Sequence, residues 1–345
     1  QSHYQTIGNE YDSMIFYSDP KKLDWSINKS IEKLNIERND IVSDVGGGSG
    51  LVAFKLYDKV RLKQKVFNVD PSSEILKQSQ EYPNSVEPVL MNANDFIKSH
   101  YAKKTSVFLI KESMHHFSNL QEFLNNLSYL VKSDRNKRTL VTTRCKISGL
   151  NLFKKATQIF ESHSIDFYLA LRIMFLNSNL NPEISLNSFV QEIDKSEFLN
   201  MIKHRFLSTL SNFSNEELFS GVKELEEKFQ DTKSIKIKDD FLFIRINYDN
   251  NIELDQYKGP NQINIVKNAK LDNDCILQQP LLDFITKNNL FSNLPIKYAL
   301  ENQIMINKVL MILRNNLDYI LLCTNQDLRY FLVQELQKMH LIHSC

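Results

Sequence analysis

Between residues 40 and 145 the chain alternates short apolar runs with amphipathic stretches. DIVSDVG (40–46), KVFNVDPS (65–72), VEPVLMNAN (86–94), TSVFLIKES (105–113) and KRTLVTTRC (137–145) read as strands. The intervening LVAFKLYDKV (51–60), EILKQSQEY (74–82) and LQEFLNNLSYLV (120–131) carry apolar residues at helical spacing. The run at 105–113 is almost continuously apolar, as expected when both faces of a parallel sheet are covered. Strand and helix in alternation predict an α/β fold with helices on both faces.

The rhythm changes after residue 147. Residues 148–213 are mostly helical in pattern, with a stop at Asn181-Pro182. SNEELFSGVKELEEKFQ (214–230) opens with a capping box, Ser214 followed three residues later by Glu217. SIKIKDDFLFIRINY (234–248) reads as two alternating strands turning at Asp239-Asp240, an antiparallel hairpin that closes the sheet. The polar, Gly-Pro-containing stretch that follows marks a linker over 250–262, and residues 263–345 are mainly helical in pattern. The expected organisation is a first domain over 1–249, with 148–213 as a helical cap insertion, then a linker and a helical C-terminal domain.

Charge narrows the partners. Lys+Arg and Asp+Glu number 42 and 41, so no net field draws nucleic acid or a membrane surface. Cys145, Cys275, Cys323 and Cys345 form no CxxC pair, which argues against a structural metal site or a disulfide framework. No apolar stretch reaches the ~18 residues of a spanning helix. A cytoplasmic protein is expected.

Four of the eight glycines fall within DVGGGSG (44–50): Gly46, Gly47, Gly48 and Gly50. Clustered glycine is entropically costly unless backbone must be approached closely. A strand ending in glycines before a helix suits a nucleotide-type ligand. A P-loop needs a Lys-Ser/Thr that is missing here, and the last glycine of a dinucleotide GxGxxG would fall on Leu51. The spacing present is Asp44-x-Gly46-x-Gly48-x-Gly50.

Here the chain resembles the class I S-adenosylmethionine-dependent methyltransferases, whose first motif is an acid followed by GxGxG. It is most similar to their small-molecule branch, of the trans-aconitate methyltransferase kind, and the resemblance covers roughly residues 8–249. It implies a Rossmann-like seven-stranded sheet, mostly parallel with an antiparallel final hairpin, and S-adenosyl-L-methionine as cofactor. It places Asp70, in FNVDPS, on the ribose hydroxyls. Asn94 and Asp95, in MNANDF, fall near the adenine amino group, with Asn92 standing where the family has aspartate. In YDSMIFYSDPKKLDW (11–25), Tyr11 and Tyr17 would close over the methionine end.

The fourth strand ends in IKESMHHF (110–117), similar to a segment of the small-molecule members. His115 is the expected base where the acceptor must lose a proton, with His116 packing beneath it. Lys111 is expected at the cofactor. Glu112 would suit a cationic acceptor, while His204 and Arg205 are candidate acceptor contacts, Arg205 for a carboxylate. The implied reaction is in-line methyl transfer to a small-molecule acceptor at N, O or carboxylate. The Asn/Asp-Pro-Pro-Tyr/Phe motif of nucleic-acid-methylating members is missing, and no metal is expected. A different reading is a catalytically inactive cofactor-binding or scaffolding protein acting through its C-terminal domain, which is also the expected homodimer contact.

Overall fold

The structure, a computed structural model, describes residues 16, 19–144, 149–178 and 180–248. The expected linker (250–262), the C-terminal domain (263–345), Tyr11 and Tyr17 lie outside the described residues. Helix α1 (Pro20–Leu34) begins with Asp19 accepting from the Lys21 amide and Pro20 in the first turn, and ends at Asn35 in the left-handed region. The order then runs β1 (Val42–Val45), α2 (Leu51–Val60), β2 (Val66–Asp70), α3 (Ser73–Leu76), β3 (Val86–Leu90), α4 (Ala93–Phe96), α5 (His100–Lys104) and β4 (Val107–Lys111). After it come α6 (Leu120–Ser133), β5 (Arg138–Arg144), α7 (Lys154–Asn177), β6 (Glu183–Asp194), α8 (Lys195–Lys203), α9 (Asn215–Lys228) and β7 (Ser234–Asn247).

The seven strands form one sheet in the order β3-β2-β1-β4-β5-β7-β6. All four pairings among β1 to β5 are parallel, and the sheet ends antiparallel, as expected. β1 and β2 are buried along their whole length, and β4 up to its last residue. The unbroken apolar run of β4 up to Lys111 follows from cover on both faces, while β1 and β2 bury Ser43, Asp44, Asn68 and Asp70 among their apolar residues. The capping box at Ser214 and Glu217 is present, each side chain accepting from the other's backbone amide.

Two segments differ from their sequence reading. Residues 183–194, within the stretch read as helical, form strand β6. Asp239-Asp240 is not a turn: β7 runs straight through it. The reason is electrostatic. Asp239 is 1% exposed and takes Lys22 Nζ at 2.6 Å and Arg144 Nε at 3.1 Å. Asp240 takes Lys238 Nζ at 3.2 Å and the Ser188 hydroxyl. Cationic partners make the buried acids tolerable in a strand that local propensity would break.

The chain divides into two compact units. One contains α1, residues 149–164 and the segment 186–242. Its core packs Phe16 edge-on to Phe206 at 4.9 Å, together with Phe198, Leu210, Leu225 and Ile237. The Lys22–Asp239–Arg144 cluster belongs to it, and Lys22 Nζ also lies 3.8 Å from the centre of the Phe16 ring. The other unit contains β1 to β4, most of β5 and the second half of α7. Among the described residues no helix is long and apolar enough to cross a membrane.

Removing Asp239 would strand two cations in a dry place, a loss on the order of 3–5 kcal/mol. Asp239→Asn should therefore lower the urea midpoint sharply, read by circular dichroism. An unchanged midpoint would mean that the cluster contributes no net stability.

Candidate functional site

The glycine turn is built by the end of β1 against the end of β2. Val69 O accepts from the amides of Gly46 (2.7 Å) and Gly47 (3.2 Å), so the chain leaves the sheet at once after Val45. Gly46, Gly48 and Gly50 then adopt φ values of +74°, +58° and +81°, a region that side chains with a Cβ rarely enter. A Cβ on Gly46 would meet Ser113 Cβ at 2.4 Å, on Gly47 Asn68 Oδ1 at 2.1 Å, and on Gly50 Ser79 Cβ at 2.9 Å. Gly48 differs: its nearest contact would be Ile75 Cγ2 at 3.7 Å. Three glycines answer to the protein's own packing, and Gly48 is the roomy one. No side chain caps the N-terminus of α2 at Gly50, which leaves its first amides to a ligand or water.

Two acids flank this turn. Asp70, at the end of β2 and 9% exposed, accepts from the Gly48 amide at 3.2 Å and the Ser72 amide at 2.9 Å. Burial raises its pKa and those two amides oppose the rise. Asp44, at 2% exposure, is pushed up to about 7 by burial, opposed by the charge of Lys111 and reinforced by that of Asp70. Asp70 is thus tied to the glycine turn by hydrogen bond, while Asp44 faces Gly47 from beneath.

At the end of β3, Asn92 caps α4 and its side chain engages Asp95 at both the amide and the carboxylate. Asp95 itself is exposed. Asn94 is buried, donating to Asn119 O at 2.7 Å and accepting from the Ser118 hydroxyl. Its amide thereby ties α4 to the start of α6.

Beyond β4, Glu112 sits at φ +52°, a left-handed position for a residue with a Cβ, held by its amide donating to Thr142 O at 2.8 Å. Its carboxylate lies 3.4 Å from Lys111 Nζ. Ser113 donates to Val45 O at 2.8 Å, bracing the end of β1. His115 and His116 follow in a single 3₁₀ turn, their ring centres 3.9 Å apart. His116 is exposed by surface area, yet protein crowds its ring enough that lost hydration lowers its pKa. The His115 ring meets the edge of Phe167, on α7, at 6.0 Å.

The structure gathers Asp44, the four glycines, Asp70, Asn94, Asp95, Lys111, Glu112, His115 and His116 on one unit, at the turns that follow β1 to β4. His204 and Arg205 belong to the other unit and serve local ends. His204 closes α8 through Asn200 O, and Arg205, at φ +54°, donates to Phe213 O and Asn215 Oδ1. Sequence reading missed Asn68, Ser113 and Phe167. Asn68 carried a usable signal, for it lies two residues before Asp70 and so on the same face of its strand. Among the described residues no group of three or more His, Cys, Asp or Glu side chains could hold a metal ion.

No protein-family model matches the chain, and no curated protein sequence matches it. Among solved structures, it is similar to one provisionally named a methyltransferase from Bacillus halodurans, at 16% identity and a TM-score of 0.43, over 64% of this chain and 98% of that one. A geranyl diphosphate methyltransferase in complex with GPP and sinefungin is similar at 16% identity and 0.38, over 65% and 78%. Phosphoethanolamine N-methyltransferase 2 of Haemonchus contortus, in complex with S-adenosyl-L-methionine, gives 14% and 0.39, over 64% and 52%. At such low identities and scores, these likenesses add nothing to what the strand order and the glycine turn show by themselves.

Gly47→Ala probes the packing under the turn, because its methyl would strike Asn68 Oδ1 first, at 2.1 Å, and the Asp44 carboxyl next, at 2.8 Å. Overpacking there should cost about 1–3 kcal/mol in thermal or urea unfolding. Asn68→Ala in the same chain should return part of that loss, a coupling of at least ~0.5 kcal/mol. Strict additivity of the two changes would show that Asn68 does not press on the turn.

Proposed function

We propose that the chain is an S-adenosylmethionine-dependent methyltransferase acting on a small-molecule acceptor. The observation that carries this reading is the bond between Asp70 and the Gly48 amide. It fixes a two-oxygen carboxylate beside the one roomy glycine and an uncapped helix N-terminus. Each Asp70 oxygen already accepts one amide and keeps a lone pair, which suits a pair of ribose hydroxyls. Buried, acidic Asp44 suits a cationic group. The residues present therefore fit the cofactor, which when bound supplies an electrophilic methyl carbon.

In this reading Gly46, Gly47, Gly48 and Gly50 shape the backbone against the cofactor and Asp70 orients its ribose. Asn94 and Asp95 border the adenine, the first by its position and the second by its exposed carboxylate. Lys111 holds Glu112 and offsets the charge of Asp44. Much of the catalysis is alignment, which can supply roughly 7–11 kcal/mol. His115 takes the proton of an acceptor that must lose one, its ring steadied by Phe167. His116, with its lowered pKa, stays neutral near pH 7 and serves as a packing or accepting partner. Glu112 faces a cationic acceptor. His204 and Arg205 are already bonded within their own unit, through Asn200, Phe213 and Asn215.

Calorimetric titration with S-adenosylmethionine and, separately, with NAD tests the cofactor. Binding of the first alone is expected, and binding of neither would overturn the proposal. Asp70→Ala should weaken that binding by about 1–3 kcal/mol. His115→Ala should lower turnover on an accepted substrate and leave cofactor affinity nearly intact. Lost affinity in the histidine variant would make that ring part of the cofactor pocket instead.

A further inference from the structure

Asn68 is fully buried at the middle of β2, directly opposite Asp44 in the parallel register of β1 and β2. Its Nδ2 donates to Gly48 O at 2.9 Å. That bond fixes the orientation of the amide, since the flipped form would set its oxygen against the Gly48 carbonyl. The Asn68 Oδ1 accordingly faces Gly47, buried and without a hydrogen-bond partner among the described residues. The Asp44 carboxyl, also buried, has no hydrogen bond among the described residues either. Both converge on the place where a Gly47 Cβ would stand, Asn68 Oδ1 at 2.1 Å and Asp44 Oδ2 at 2.9 Å.

Two acceptors facing one another repel when Asp44 is ionised, and an unpaired buried acceptor such as Asn68 Oδ1 is costly in itself. One proton reverses the sign, because a neutral carboxyl donates where a carboxylate cannot. We propose that in the ligand-free protein Asp44 keeps a proton and donates it to Asn68 Oδ1, and that binding of a cationic cofactor expels this proton. The inference rests on the cofactor reading above. On binding, the O–H bond of Asp44 breaks, its proton passes to the solvent, and the ligand's ammonium becomes the donor that the carboxylate needs. Asn68 is thus a positioning residue that couples the glycine turn, through Gly48, to the protonation of Asp44.

The charged groups around Asp44 agree with this arrangement. Asp70, at the end of β2, disfavours its ionisation, and Lys111, at the end of β4, favours it while also pairing with Glu112. Burial outweighs Lys111, and the resulting value of about 7 leaves the carboxyl mostly neutral below that pH. A pKa raised in the free protein and lowered in the complex makes affinity rise with pH up to about 7. The ligand's own α-amino group titrates near ~7.7–8.0, so the test is made below about pH 7, where the Asp44→Asn chain, which keeps His115 and His116, separates any histidine proton from that of Asp44.

The experiment is calorimetric titration of the full chain with S-adenosylmethionine near pH ~6, in two buffers of different ionisation enthalpy. Heats that differ by close to one proton per site are expected, with Kd tightening up to ~10-fold per pH unit across that range. Asp44→Asn carries an amide that can donate permanently to Asn68 Oδ1. It should bind more weakly and lose the buffer and pH dependence that Asp44 contributes, about one proton per site, its fold confirmed by circular dichroism. Measurable wild-type binding with buffer-independent heats would overturn the shared proton and leave the cofactor reading standing. Absence of binding at every pH would overturn both.

Discussion

The parallel register of β1 and β2 is the constraint on which the site depends. Pairing Asp44 with Asn68 and Val45 with Val69 brings Val69 O under the amides of Gly46 and Gly47, and so decides where the chain turns. The same register carries Asp70 one step past the last paired residue of β1, within reach of the Gly48 amide. A slip of one residue would send Asp44 or Asn68 to the opposite face of the sheet. Neither strand tolerates such a slip, because both are buried along their whole length. Burial of apolar neighbours therefore secures the register, and the register positions the polar groups.

Three buried carboxylates show how differently the same side chain can be accommodated. Asp239 is met by two cations and interrupts nothing, although Asp-Asp is a poor strand sequence. Asp70 is met by two backbone amides, which resist the rise in pKa that burial causes. Asp44 has the charge of Lys111 on one side and that of Asp70 on the other, and burial pushes its pKa up to about 7. The first arrangement is internally complete. The other two leave lone pairs or a displaceable proton, and these face the glycine turn.

The parallel strands were legible because short, mainly apolar runs alternating with stretches of helical spacing leave little choice of architecture. The glycine turn and the capping box were legible because each is a local backbone device with a fixed spacing. What sequence reading lost depended on partners far along the chain. The turn read at Asp239-Asp240 vanishes because Lys22 and Arg144, remote in sequence, neutralise Asp239. Strand β6 was hidden by its place between helices and after Asn181-Pro182, although its exposure alternates over most of its length. Asn68 was overlooked beside the more conspicuous Asp70, and Phe167 was one aromatic among many on α7.

The glycines themselves carry a lesson about close approach. A glycine-rich turn invites the reading that every missing side chain makes room for a ligand. At Gly46, Gly47 and Gly50 the room is already taken by Ser113, Asn68 and Ser79. Those contacts hold the turn against β2, β4 and the residues after α3, and a turn held from three sides loses little further freedom when a ligand arrives. Less ordering cost at that moment leaves more of the contact energy for affinity. The packing beneath the turn and the openness at Gly48 are therefore two parts of one device: the first makes the second rigid enough to be useful.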